Sequence, residues 1–121
     1  MKKLQNNFTT PEQSKRLLEL GVPADSADCY INLWNNYPYG ILAEDESYSN
    51  YKFAGYMNDS KVLPCWSVGR LIEIHRICST LPDEEYMFPF WKDIEDNVEW
   101  AIRVLESGIR IGNMDFSKLE E

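Results

Sequence analysis

The sequence predicts an α+β fold: a small, mainly antiparallel sheet of three to four short strands packed against about three helices. Three observations carry this expectation. Val98, Ala101, Ile102 and Leu105 repeat with the 3.6-residue period of an amphipathic helix. Cys29, Ile31 and Leu33 alternate against Tyr30, Asn32 and Trp34, the period of a strand. The segments between the expected strands are too short for crossover helices, so neighbouring strands should run antiparallel. The 121 residues are 44% hydrophobic and 13% aromatic, enough for one core. One domain over 1–121 is expected, with loose ends at about 1–8 and 116–121.

The first helix is expected over about 11–20. Thr10 reads as its N-cap, Pro11 as its first residue and Gln13 as the reciprocal capping partner. Leu17, Leu18 and Leu20 supply an apolar side, Gly21 suits the C′ position, and Pro23 blocks continuation. After a polar turn at 25–28, a first strand covers 29–34. Asn35 to Gly40 reads as a turn, Ile41 to Ala43 as a second strand, and Tyr51 to Met57 as a third with a bulge at Gly55.

Pro64 and Ser67 mark a turn and cap that open a second helix, roughly 66–78. Its apolar side is Val68, Leu71, Ile72, His75 and Cys78, widened by Ile74 and Ile77. The third helix is expected to start near Lys92 or Asp93 and to be capped by Gly108. Ile94 belongs to its apolar stripe, and Glu99 and Arg103 form an i,i+4 pair on its wet side. Ile109 and Ile111, flanking Arg110, then read as a short terminal strand, with a loose tail from Lys118.

Charge narrows the partners. The formal net charge of −8 repels phosphate backbones, and the twelve basic residues are scattered along the chain, which argues against nucleic acid. No apolar run is long enough for a bilayer span, so no membrane partner is expected. The acidic runs Glu44–Glu46, Asp83–Glu85 and Asp93–Asp96 fit no calcium-loop pattern and read as solvated surface or helix-start charge. Three cysteines without close spacing point to a reducing, cytoplasmic setting.

His75, the single histidine, lies three residues before Cys78 and on the same side of a helix. These two are the candidate catalytic pair, a thiolate and an imidazole. Their place in an apolar stripe favours instead a histidine satisfied inside the core. Cys29, Cys65, His75 and Cys78 make a Cys₃His zinc set by residue type, but lack the paired spacing of structural zinc sites. No metal or other cofactor is expected.

The aromatic residues are the most distinctive feature. Trp34, Tyr37, Tyr39, Tyr56, Trp66, Phe90 and Trp91 fall in loops and at element edges. Such rings either plug the ends of a small core or anchor an interface, most simply a homodimer.

Residues 7–28, opening Asn7-Phe-Thr-Thr-Pro-Glu-Gln, and residues 63–74, opening Leu63-Pro-Cys-Trp-Ser-Val-Gly, resemble segments of small proteins from gut Bacteroides-type bacteria and their phages or mobile elements. Val98 to Gly112 fits more loosely. The resemblance implies a bacterial or prophage origin and brings no activity or site residue with it. The expected function is a non-enzymatic accessory or protein-interaction module that self-associates or binds another protein. The alternative is a small enzyme or ligand-binding protein with an aromatic-lined, acidic pocket.

Overall fold

A computed structural model describes residues 7–32, 40–41, 48, 62–82 and 96–120. Helix α1 (Pro11–Glu19) is set at both ends by its own sequence. Gln13 N donates to Thr10 Oγ1 at 3.2 Å, and Thr10 N donates to Gln13 Oε1 at 3.0 Å, which completes the capping box. At the other end Gly21 takes φ 95°, a conformation that costs glycine little. Gly21 N then reaches Leu18 O and Val22 N reaches Leu17 O, the paired bonds of a Schellman closure.

The chain passes through a 3₁₀ turn (Ala24–Ser26) into β1 (Cys29–Asn32). Strand β1 lies between β2 (Gly40–Ile41) and β3 (Val62–Cys65), antiparallel to both, in the order β2-β1-β3. Cys29 faces Cys65, Tyr30 faces Pro64, Ile31 faces Leu63 and Asn32 faces Val62. The expected alternation holds over 29–31: Cys29 and Ile31 are buried on one face, while Tyr30 packs against the main core on the other. The rest of the strand expected to 34, of that expected to 43, and the whole of that at 51–57 lie outside the described residues.

Strand β3 corrects the sequence expectation, which placed a turn at Leu63 to Cys65. A proline inside a run argues against a central strand because it cannot donate to a ladder. Here β3 is the last strand in the order of the described sheet, so Pro64 needs a ladder partner on one side only. Asn7–Thr9, expected within or beside a loose end, continues this edge: Thr9 N donates to Trp66 O at 3.0 Å and Val68 N to Asn7 O at 2.9 Å. Thr9 is fully buried and its hydroxyl accepts from Trp66 N at 3.1 Å.

Helix α2 (Val68–Cys78) begins one turn-fragment later than expected, with Ser67 as N-cap accepting from Arg70 N at 3.1 Å. Asp28 holds that cap by accepting from both Ser67 N and Ser67 Oγ, at 2.9 and 2.5 Å. Its buried stripe is Leu71, Ile74, His75 and Cys78, and Ile77 lies outside it, 40% exposed.

Helix α3 (Asn97–Ile111) differs from the expectation at both ends. Asp96 is its N-cap, accepting from Val98 N and Glu99 N, so the helix starts after the expected Lys92 or Asp93. Gly108 is an interior residue, and Gly112 at φ 87° ends the helix, with Asn113 N bonded to Gly108 O. Gly108 serves packing instead: a Cβ there would meet Met114 Cγ at 3.1 Å. Ile109 to Ile111 are therefore helical and form no terminal strand. The segment expected to trail off is a 3₁₀ helix (Phe116–Glu120), whose Phe116 and Leu119 pack against the core. Lys118 Nζ donates to Ser79 O at 3.0 Å and Asp115 N to Cys78 O at 2.8 Å, which ties it to the end of α2.

The main core joins Leu17, Val22, Val62, Trp66, Leu71, Ile74, Cys78 and the inner stripe of α3. A second, smaller cluster of Cys29, Ile31 and Cys65 sits on the opposite face of the sheet with Phe8 and Leu63. Among the described residues no helix is long and apolar enough to cross a membrane.

Candidate functional site

The residues singled out for chemistry fall into separate places. His75 and Cys78 lie on the buried side of α2, whereas Cys29 and Cys65 face one another across β1 and β3. The four sequence candidates for a zinc set are thus divided between two clusters. Among the described residues no group of three or more metal-ligating side chains forms.

Burial also sets the protonation of these groups. It pushes the Cys78 thiol up to about 11, with the Asp115 carboxylate acting in the same direction. It lowers the His75 imidazole below its ordinary range. The hydrogen bond with Cys65, and burial after it, push the Cys29 thiol far up. A nucleophilic cysteine needs the opposite shifts, an accessible thiolate beside a base.

Between the ordinary thiol value of 9.0 and about 11 the folded chain keeps the Cys78 proton that the unfolded chain has lost. Stability present below pH 9.0 should therefore fall as pH rises toward 11, by on the order of 2 kcal/mol. The shift of His75 has the other consequence: stability should fall as pH drops below 6.5 and the unfolded chain takes up the proton first. Urea denaturation of wild type and Cys78→Ala at pH 8 and pH 10.5 checks the first slope, which should be shallower in the variant.

Trp66, expected at an edge as an interface anchor, is fully buried, and its indole Nε1 donates to Ser26 Oγ at 2.9 Å. It is a core plug and offers no surface. Trp34, Tyr37, Tyr39, Tyr56, Phe90 and Trp91 lie outside the described residues. Tyr48 is buried, with its hydroxyl donating to Val62 O at 2.8 Å.

The surface feature that the structure does assemble is charged, and runs along the outer face of α3. Glu99, Arg103, Glu106 and Arg110 form one stripe of that helix, and Arg16 crosses to it from α1. Arg16 donates to Glu99 at 2.5 Å and to Glu106 at 3.3 Å. Arg103 reaches Glu99 at 3.4 Å and Arg110 reaches Glu106 at 3.8 Å. Gln13 adds a bond to the second Glu99 oxygen at 3.2 Å. Burial alone would raise the Glu99 carboxyl; the hydrogen bonds from Arg16 and Gln13, with the Arg16 charge, outweigh it and hold the group below its usual value.

Arg16, Arg103, Glu106, Ser107, Arg110 and Ile111 line a groove of about 500 Å³. Ile111 is 68% exposed beside these guanidinium groups. Arginine is among the residues enriched at protein interfaces. The Glu99–Arg103 pair was legible in the sequence. Arg16 was not, since its partners lie 83 and 90 residues away. Arg110 was missed because the helix was expected to stop at Gly108.

Compared with known proteins, the chain matches no family model, no curated protein and no solved structure.

Proposed function

We propose that this protein is a non-enzymatic interaction module that self-associates through the charged face of α3. The observation that carries the reading is the order of charges on that face. Glu99, Arg103, Glu106 and Arg110 are spaced by four, three and four residues, which reads the same in both directions, while the charges invert. Two copies of α3 packed antiparallel about a twofold axis near residues 104 and 105 would place Glu99 opposite Arg110 and Arg103 opposite Glu106. Each pair then occurs twice, because an interface about a twofold uses the same patch on both copies. A parallel pairing would set like charges together.

The side chains on this face are partly exposed and already paired within the chain, so each new contact is worth roughly 0.2–1 kcal/mol. The expected product is a weak dimer with Kd on the order of 1 mM at low salt, weakened further by screening. Ile111 and Ser107 add the less charged part of the contact.

Charge reversal provides the test. Arg103→Glu with Arg110→Glu makes the stripe wholly acidic, and Glu99→Arg with Glu106→Arg makes it wholly basic. By sedimentation velocity each variant should remain monomeric at concentrations where wild type dimerises. Mixed, they should form a one-to-one heterodimer at least tenfold tighter than the wild-type pair. Circular dichroism checks that both fold, because the basic variant also removes the partners of Arg16. Unchanged dimerisation of the acidic variant alone would refute the α3 interface.

A further inference from the structure

We propose that Cys29 and Cys65 form a latent cross-strand disulfide, a modification site for thiol–disulfide exchange with a low-molecular-weight disulfide. The geometry rests on register. The two residues are directly opposite in the antiparallel β1–β3 pair. Directly opposed residues have Cα atoms about 4.5–5.5 Å apart, inside the span of roughly 4.4–6.8 Å that a disulfide bridges. Their side chains also share a face: both belong to the small cluster with Ile31 and both are fully buried. Cys29 Sγ donates to Cys65 O at 2.8 Å, which holds that sulfur over its opposite residue.

Cys78 does not compete, because it lies in the main core beneath α2. The chain has three cysteines, so the β1–β3 pair leaves one thiol unpaired.

In the closed fold the pair is inert. Its hydrogen bond to Cys65 and its burial keep Cys29 protonated, and Asn7–Thr9 lies along the Cys65 side. Thr9 touches the Cys65 sulfur at 3.6 Å through both its hydroxyl and its carbonyl. Exchange therefore requires that this terminal segment lift from residues 66–68 while β1 and β3 stay paired. One cysteine then attacks oxidised glutathione as its thiolate, forming a mixed disulfide and expelling one glutathione thiolate. The second cysteine attacks the protein sulfur of that mixed disulfide, closing Cys29–Cys65 and expelling the other glutathione. Two thiol protons pass to the released thiolates or to solvent, and the two electrons reside in the two reduced glutathiones.

The test is to incubate the folded chain with oxidised glutathione, alkylate the remaining thiols and measure intact and peptide masses. The expected product has lost about 2 Da, carries one alkyl group on Cys78, and links the Cys29 and Cys65 peptides. Its near-ultraviolet circular dichroism should match that of the reduced protein. Cys29→Ser or Cys65→Ser should stop at a glutathione adduct, while Cys78→Ser should still lose the two hydrogens. A repeat in urea well below the unfolding midpoint should accelerate closure. A bond that involves Cys78, closure only once the whole chain has unfolded, or three free thiols under both conditions would overturn the proposal.

Discussion

Trp66→Ala should lower the free energy of unfolding by about 3–5 kcal/mol, the range for removing a large buried aromatic side chain. For a domain of this size that is a large fraction of the total. Three features of the site place the variant at the costly end. The indole is fully buried in the main core, its Nε1 is bonded to Ser26 Oγ, and its backbone N–H and C=O both bond to Thr9. The ring therefore fixes the 3₁₀ turn before β1, and its backbone fixes the segment before α1. Trp66→Phe loses the indole donor and some volume but keeps a buried ring, so it should lose less than the alanine variant. Urea denaturation monitored by far-ultraviolet circular dichroism measures both. A loss below about 1 kcal/mol for the alanine variant would mean that the ring lies at the surface, as an interface anchor would.

Leu17→Ala should cost about 2–5 kcal/mol. Helix α1 has nine residues, too short to persist without packing. Its buried positions are Ser14 and Leu17, so Leu17 supplies its apolar anchor. The neighbouring Leu18 is 36% exposed, and Leu18→Ala should change stability by less than about 0.5 kcal/mol. The link to the surface is Arg16, which α1 holds against Glu99 and Glu106. A loosened α1 releases Arg16 from Glu99 and Glu106. Equal losses for Leu17→Ala and Leu18→Ala would show that α1 is not docked through this side chain.

The parts of the fold that local chemistry decides were readable in the sequence. The Thr10–Gln13 box, the Gly21 closure and the alternation at Cys29 to Ile31 each depend on neighbours a few residues away. So did the inner stripe of α3. What could not be read depends on contacts between distant residues. Pro64 reads as a turn until the strand order shows that it sits at the end of the described sheet. Gly108 was expected to end the third helix, but Gly112 ends it. Met114 packed over Gly108 and the left-handed backbone at Gly112 decide between them. That difference of one turn carries Arg110 onto the helix and completes the charged stripe. Thr9 gives no sequence signal for its buried bonds to Ser14 and Trp66.

The order of charges on α3 is tested most directly by sedimentation equilibrium of the wild-type chain over a wide concentration range, at low and at high salt. At low salt the average mass should climb from that of one chain toward that of two as concentration approaches the millimolar range. At about 0.5 M salt, where the Debye length is only a few ångströms, it should stay close to one chain. A protein that remains monomeric at millimolar concentration in low salt, or a dimer indifferent to salt, would contradict self-association through opposed Glu and Arg pairs.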